Sequence, residues 1–168
     1  MVLVKASETS FRFPVQAFVS RGETTGFPDI WCLLTHHAWC FRDNIYPGME
    51  LVDAKGRHWI TRRAYPVTRQ VERRWWHTGP LKPRSWTELE LEIEEVEPLS
   101  LPELIDRICL SEAETRRIWW ERHHDPKKQE SEEDFQERLT QLRAAKDMDQ
   151  IYDIQGYAFE PGFWWGRL

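Results

Sequence analysis

Long apolar runs are missing from this 168-residue sequence. No segment approaches the run of about 18 consecutive apolar residues that a membrane-spanning helix needs. The first twenty residues contain charged side chains and a proline, and they lack the apolar stretch of a signal peptide. We therefore expect a protein with no membrane span that stays in the cytoplasm.

Cysteine is scarce, and a net positive charge is absent. Three cysteines are an odd number, which suits free thiols in a reducing compartment better than a disulfide framework. The 28 acidic residues outnumber the 23 basic ones, which makes the formal net charge −5. Because a protein that binds phosphate backbones needs a basic surface, this charge argues against nucleic acid and favours a basic protein partner.

Known catalytic and cofactor motifs are also missing. The sequence has no glycine-rich dinucleotide fingerprint, no phosphate-binding loop, no nucleophile elbow, no HExxH zinc motif and no calcium-binding loop. It also has no internal repeat and no low-complexity segment. We therefore predict no cofactor and no enzymatic activity, although the residues of an active site can be dispersed along a chain.

Tryptophan, in contrast, is abundant. Ten Trp residues occur in the chain, and six of them form three adjacent pairs. Neighbours on a strand point to opposite faces, and on a helix they lie about 100° apart, so both members of a pair are seldom buried equally. One member of each pair is expected at a surface, unless the core wraps around both. Trp75 and Trp76, which follow two arginines, are candidate partner-binding residues.

The first 98 residues have the patterns of β-structure. Residues 47–67 form a predicted hairpin, with a turn at Ala54–Gly56 between a short apolar strand and a longer strand. Residues 11–20 alternate apolar and polar side chains around Pro14, which predicts an edge strand or a bulge. Residues 2–5 suit a short additional strand. Residues 86–97 alternate strictly, which predicts the clearest strand of the chain.

Residues 27–41 suit a helix that begins near Asp29, although a buried strand is the alternative. On a helix, Cys32, His36 and Cys40 would lie on neighbouring turns of one side and form a weak candidate metal site. This spacing is unlike the close ligand pairs of structural zinc sites, and free cysteines are commonly buried for packing. We therefore predict no metal.

The second half of the sequence has the patterns of helices. Capping boxes begin at Ser100 and Ser111, and Ser131 with Asp134 opens a further helix. A short helix is expected over residues 148–154, and the aromatic tail at 156–168 is expected to pack back on the sheet. We therefore predict a single α+β domain over residues 1–168. In it, a bent antiparallel sheet from 1–98 packs against three to four helices from 99–155.

A row of four glutamates marks the predicted strand at residues 86–97. Glu88, Glu90, Glu92 and Glu94 alternate with apolar residues and therefore lie along one face of the strand. Arginines of a neighbouring strand, Arg57 and Arg63, could pair with them internally. The row could also protect an exposed sheet edge. The functional interpretation is a docking face for a basic protein surface.

The order of these elements resembles that of the small cytoplasmic immunity proteins that bacteria encode beside polymorphic or contact-delivered toxins. The resemblance covers residues 45–155. It rests on the hairpin GMELVDAKGRHW, the acidic strand after it, the helix start SLPEL and the ending LRAAKDMDQIYDI. Members of that group are commonly acidic, and each blocks its own toxin by binding it. The resemblance implies this function, and it carries over no catalytic residue.

These observations predict a non-enzymatic protein-binding protein, an immunity protein that neutralises a cognate toxin. Its expected binding residues are the four glutamates together with Trp75 and Trp76. Two alternatives remain open. One is a metal- or His-dependent enzyme that uses Cys32, His36 and Cys40. The other is a phage or bacterial adaptor domain that binds peptides at a sheet edge.

Overall fold

A computed structural model describes residues 2–19, 23–37, 44–67, 86–122 and 130–156. Within these residues, the part before residue 98 forms seven strands: β1 (Leu3–Lys5), β2 (Val15–Phe18), β3 (Thr24–Phe27), β4 (Thr35–His37), β5 (Glu50–Asp53), β6 (His58–Pro66) and β7 (Trp86–Val96). The helices are a 3-10 turn (Ala6–Glu8), α1 (Ile30–Leu34), α2 (Leu101–Arg122), α3 (Glu132–Ala144) and α4 (Met148–Ile154). The predicted α+β class is confirmed, with an antiparallel sheet followed by three helices.

The strand order places the glutamate-bearing strand inside the sheet. The order is β1-β7-β6-β5-β2-β3, β4 also pairs with β7, and every pair is antiparallel. Since β7 is hydrogen-bonded to β6 on one side and to β1 on the other, its glutamates do not protect a sheet edge. The expectation for Pro14 is also corrected. Pro14 precedes β2, and β2 lies between β3 and β5.

The β5–β6 hairpin forms where the sequence predicted it, and its turn is shaped by two residues. Gly56 has φ of +77°, and a Cβ at this position would lie 2.5 Å from the carbonyl oxygen of Leu99. Asp53 is fully buried and accepts hydrogen bonds from the backbone N–H groups of Lys55 and Arg57, at 2.9 and 3.1 Å. The Arg57 side chain also donates to Asp53. The turn therefore needs both the small glycine and the buried carboxylate.

A register shift in β6 interrupts the alternation that a regular strand would have. Between Thr61 and Arg63 the pairing with β7 slips by one residue, as in a β-bulge. Trp59 and Thr61 are buried, Arg62 and Arg63 are both exposed, and Ala64 packs against the core. Strict alternation would place Ala64 on the face opposite to Trp59, and the bulge brings it to the same face.

The sheet has a hydrophobic cluster on each face. Leu51, Trp59 and Ile93 belong to the first cluster, which α1 and the 3-10 turn complete. Val52, next to Leu51, points to the opposite face and joins the second cluster with α2, α3 and α4. Two faces of one sheet are thus covered by different parts of the chain. The second cluster holds these helix residues: Leu104, Ile105, Ile108, Cys109, Phe135, Leu139, Leu142, Met148 and Ile151.

The C-terminal helices begin at the predicted caps with one exception. The Ser100 N–H donates to the Glu103 carboxylate at 2.9 Å, and the Ser131 hydroxyl accepts from the Asp134 N–H at 3.0 Å. The helix break predicted at Ser111 is wrong, because α2 continues through it to Arg122. After its first turn α2 contains no glycine or proline, so a central serine does not end the helix.

Residues 27–41 form neither the single helix nor the single strand that the sequence allowed. Asp29 caps α1 as expected, since its carboxylate accepts from the Cys32 N–H at 2.8 Å. After Leu34 the chain becomes extended, and Thr35–His37 pairs with β7. The aromatic tail at 157–168, predicted to pack back on the sheet, lies outside the described residues.

Candidate protein-interaction surface

The glutamate row on β7 has the predicted alternation but not the predicted exposure. Leu89, Leu91 and Ile93 are buried in the first cluster, so the glutamates between them point to the opposite face. Glu90 is only 2% exposed, and the other three, Glu88, Glu92 and Glu94, are half-buried. No carboxylate of the row is freely exposed, and Glu90 is unavailable to a partner. The interpretation of four equivalent docking residues is corrected for Glu90.

Three glutamates of the row bind groups of the chain itself. Glu90 accepts hydrogen bonds from the backbone N–H and the hydroxyl of Ser7, at 3.1 and 2.5 Å. Glu94 pairs with Arg62 at 2.5 Å. Glu92 lies 3.8 Å from Arg63, as the internal-pairing alternative expected.

Arg57, the other arginine of that alternative, pairs with Asp53 instead, at 2.7 Å. Among the described residues, two guanidinium groups, those of Arg62 and Arg63, lie within ion-pair distance of carboxylates of the row. Internal pairing therefore accounts for much of the row.

The remaining predicted site residues do not assemble into a described site. Cys32 lies on α1 and His36 on β4, so the single helical face proposed for the metal ligands is wrong. Cys40, Trp75 and Trp76 lie outside the described residues. Within the described ranges, no group of three His, Cys, Asp or Glu side chains is placed to hold a metal ion.

An open cleft beside α2 is the concave feature that the sequence did not reveal. Its volume is about 430 Å³, and it lies between α2 and the ends of β2, β3 and β5. Three apolar side chains, three carboxylates and one guanidinium group line it. They are Phe18, Val19 and Leu110; Glu23, Glu50 and Glu114; and Arg107. These residues come from separate segments of the chain, so no local sequence pattern indicates the cleft.

A network of hydrogen bonds around Glu50 stiffens one wall of the cleft. Its carboxylate lies 2.8 Å from His58 Nε2 and 2.6 Å from an Arg107 guanidinium nitrogen. The other ring nitrogen of His58 lies 3.2 Å from the carbonyl oxygen of Glu97. Both ring nitrogens of His58 thus lie within hydrogen-bond distance of an oxygen atom. The Arg107 guanidinium also lies 4.8 Å from the centre of the Phe18 ring.

The surroundings of Glu50 lower the pKa of its carboxyl. Burial raises the pKa of the Glu50 carboxyl, but the hydrogen bonds and charges of Arg107 and His58 outweigh this effect and hold the pKa below its ordinary value. A carboxylate with a lowered pKa is a poor general base near neutral pH. The Glu50 carboxylate is therefore held between His58 on β6 and Arg107 on α2.

The rim of the cleft is more accessible than its wall. Leu110 on α2 is 71% exposed, and the Glu114 side chain, one turn further along, is 44% exposed. Glu114 pairs with Arg117 at 2.6 Å on the surface of the same helix.

No protein-family model matches the chain, and comparisons with curated proteins and with solved structures likewise found no match. The resemblance to immunity proteins therefore stays a hypothesis. Among the helices that the structure describes, none is long and apolar enough to cross a membrane. The function is accordingly inferred from the geometry of the chain itself.

Proposed function

We propose that this protein acts by binding another protein, and that its partner is a bacterial toxin that it neutralises as an immunity protein. The observation that carries the proposal is the open cleft beside α2, where exposed Leu110 adjoins the carboxylates of Glu23 and Glu114. Such a surface offers apolar area for affinity and negative charge for orientation. The resemblance of residues 45–155 to immunity proteins supports the nature of the partner.

Charge complementarity supports a basic partner. The chain has a formal net charge of −5, and four of its glutamates lie along one face of β7. Such charge accelerates encounter with a basic surface more than it strengthens the final complex. We therefore assign the half-buried Glu88, Glu92 and Glu94 a role in attraction. Trp75 and Trp76 remain proposed contact residues.

The experiment that tests this function uses the protein encoded beside this gene. Expressed alone in a bacterial host, that neighbour should arrest growth, and co-expression of the present chain should restore it. The two purified proteins should form a 1:1 complex in size-exclusion chromatography, with a dissociation constant that calorimetry places in the nanomolar range or below. A neighbour that is toxic but neither bound nor neutralised would contradict the proposal.

Metal analysis discriminates the enzyme alternative. The purified chain is passed through a metal-free desalting column and assayed by plasma mass spectrometry. A stoichiometric zinc ion lost in Cys32→Ala would favour the enzyme over the binding protein. A zinc content below about one-tenth of an equivalent per chain would leave the binding proposal in place.

A further inference from the structure

The cleft beside α2 combines apolar and acidic surfaces in a way that suits one kind of side chain. We propose that it receives a single lysine or arginine of the partner protein, projecting from an apolar segment. This inference rests on the proposed function and specifies the chemistry of the partner. It assigns to Glu23, Glu114 and Leu110 the roles of two charge partners and an apolar contact.

The charges in the cleft leave two carboxylates for an incoming cation. Of the three carboxylates that line it, Glu50 is already neutralised by Arg107, the one lining guanidinium, at 2.6 Å. Glu23 and Glu114 remain at the rim. The Arg117 that pairs with Glu114 is 57% exposed, and ion pairs of this kind contribute little stability. A partner cation can therefore replace Arg117 at little cost.

The apolar part of the cleft matches the aliphatic stem of such a side chain. Lysine and arginine place their methylene groups along apolar surface and direct the charged head to polar groups. Leu110 stands out here, because the other large hydrophobic side chains that are exposed in the described ranges lie at the chain start, at Val2, Leu3 and Val4. Phe18 and Val19 line the cleft together with Leu110, so the aliphatic stem of an entering side chain would contact apolar side chains.

The size of the cleft is adequate for one long side chain with part of its flanking segment. Its volume of about 430 Å³ lies toward the lower end of the range of ligand sites, roughly 300–1,000 Å³. An anionic side chain would meet the excess carboxylates. A neutral polar side chain would fill the space without replacing the water around Glu23 and Glu114. Positive charge is therefore the property that the cleft selects.

A pair of blocked peptides tests this inference on the full chain. Acetyl-Leu-Arg-Leu-amide carries the cation, and acetyl-Leu-citrulline-Leu-amide has nearly the same shape without the charge. In a titration followed by ¹⁵N–¹H NMR, the arginine peptide should shift the amide signals of Val19, Leu110 and Glu114. The citrulline peptide should bind about fivefold more weakly, because it lacks the charge that meets the two rim carboxylates. Equal binding of the two peptides, or shifts confined to other parts of the chain, would overturn the proposal.

Matched variants locate the effect. The double variant Glu23→Gln/Glu114→Gln should weaken binding of the arginine peptide about fivefold, since each rim pair contributes modestly. Leu110→Ala should weaken the binding of both peptides, because both contact the same apolar side chain. The control Glu137→Gln changes an exposed glutamate of α3 and should leave binding unchanged. An unaltered affinity in the double variant, with circular dichroism as in the parent, would refute the assigned roles.

The outcome separates this inference from the proposed function. If the neighbouring toxin is bound and neutralised but the peptides do not discriminate charge, only the assignment of the cleft fails. If the arginine peptide binds as expected but the toxin is not bound, the cleft assignment holds as a cation site and the immunity function fails.

Discussion

The buried carboxylates of this protein differ from those at the rim of its cleft in burial and in hydrogen bonding. Asp53 and Glu90 are almost completely buried, and each accepts hydrogen bonds from several groups of its own chain. Glu23 and Glu114 lie at the rim and remain accessible to solvent. Burial with partners makes a carboxylate structural, and exposure beside apolar surface makes it available for recognition.

Glu50 lies between these two classes. It lines the cleft, yet it is bound by His58 and by Arg107. Its carboxylate joins β5 to α2, across 57 positions of the sequence. Glu50 therefore links the folded core to the rim, and its substitution should cost less stability than substitution of a fully buried carboxylate.

The largest effect is expected for Asp53→Ala. The substitution removes the acceptor for several N–H groups in the β5–β6 turn and unpairs Arg57, whose side chain is about one-third exposed. Loss of a buried partner of this kind costs about 3 kcal/mol of the free energy of unfolding. Urea denaturation followed by tryptophan fluorescence measures it. The control Asp106→Ala, at an exposed site of α2, should change stability little, and a similar loss in both variants would contradict the distinction.

Glu90→Ala should lower the free energy of unfolding by a smaller amount, about 2 kcal/mol. The reason is that the Ser7 N–H and hydroxyl lose their carboxylate acceptor. A double-mutant cycle with Ser7→Ala should give a coupling free energy of about 1 kcal/mol for the hydroxyl bond. Glu95→Ala, at an exposed position of the same strand, serves as the control. A coupling of zero would show that Glu90 is not held by Ser7 in solution.

Of these three positions, Glu50 should show the smallest loss in the free energy of unfolding, and this loss should depend on pH. Because the folded state lowers the Glu50 pKa from its ordinary value of 4.5, the stabilisation is fully present above that value and is lost as the pH falls through the folded pKa. Glu50→Gln should therefore cost about 1 kcal/mol at pH 7, with the difference from the parent shrinking toward pH 3. Urea midpoints at a series of pH values measure this difference. A difference that is constant with pH would show that the carboxylate charge is not involved.

Much of the fold could be predicted because it depends on short-range patterns. The β5–β6 hairpin, the alternation on β7 and the caps at Ser100 and Ser131 all involve residues a few positions apart. The errors have a common origin. The bulge near Arg62, the end of α1 at Leu34 and the continuity of α2 depend on what each segment packs against, and local preference is a weak guide there.

The candidate site was less predictable than the fold. The charged residues on β7 were correctly placed on one face, but their exposure was not, because Ser7 reaches Glu90 across 83 positions of sequence. The cleft was missed entirely, since its lining residues come from β2, β5, α2 and the connections between strands.

The sequence by itself determined the α+β order, the two-residue period of the central strand and the acidic balance of the chain. Each of these follows from composition or from neighbours along the chain. Only the tertiary structure decided which carboxylates are enclosed and which remain at the surface. That choice depends on strand register and on contacts between distant segments, because a carboxylate can be buried only where the fold brings donors to it.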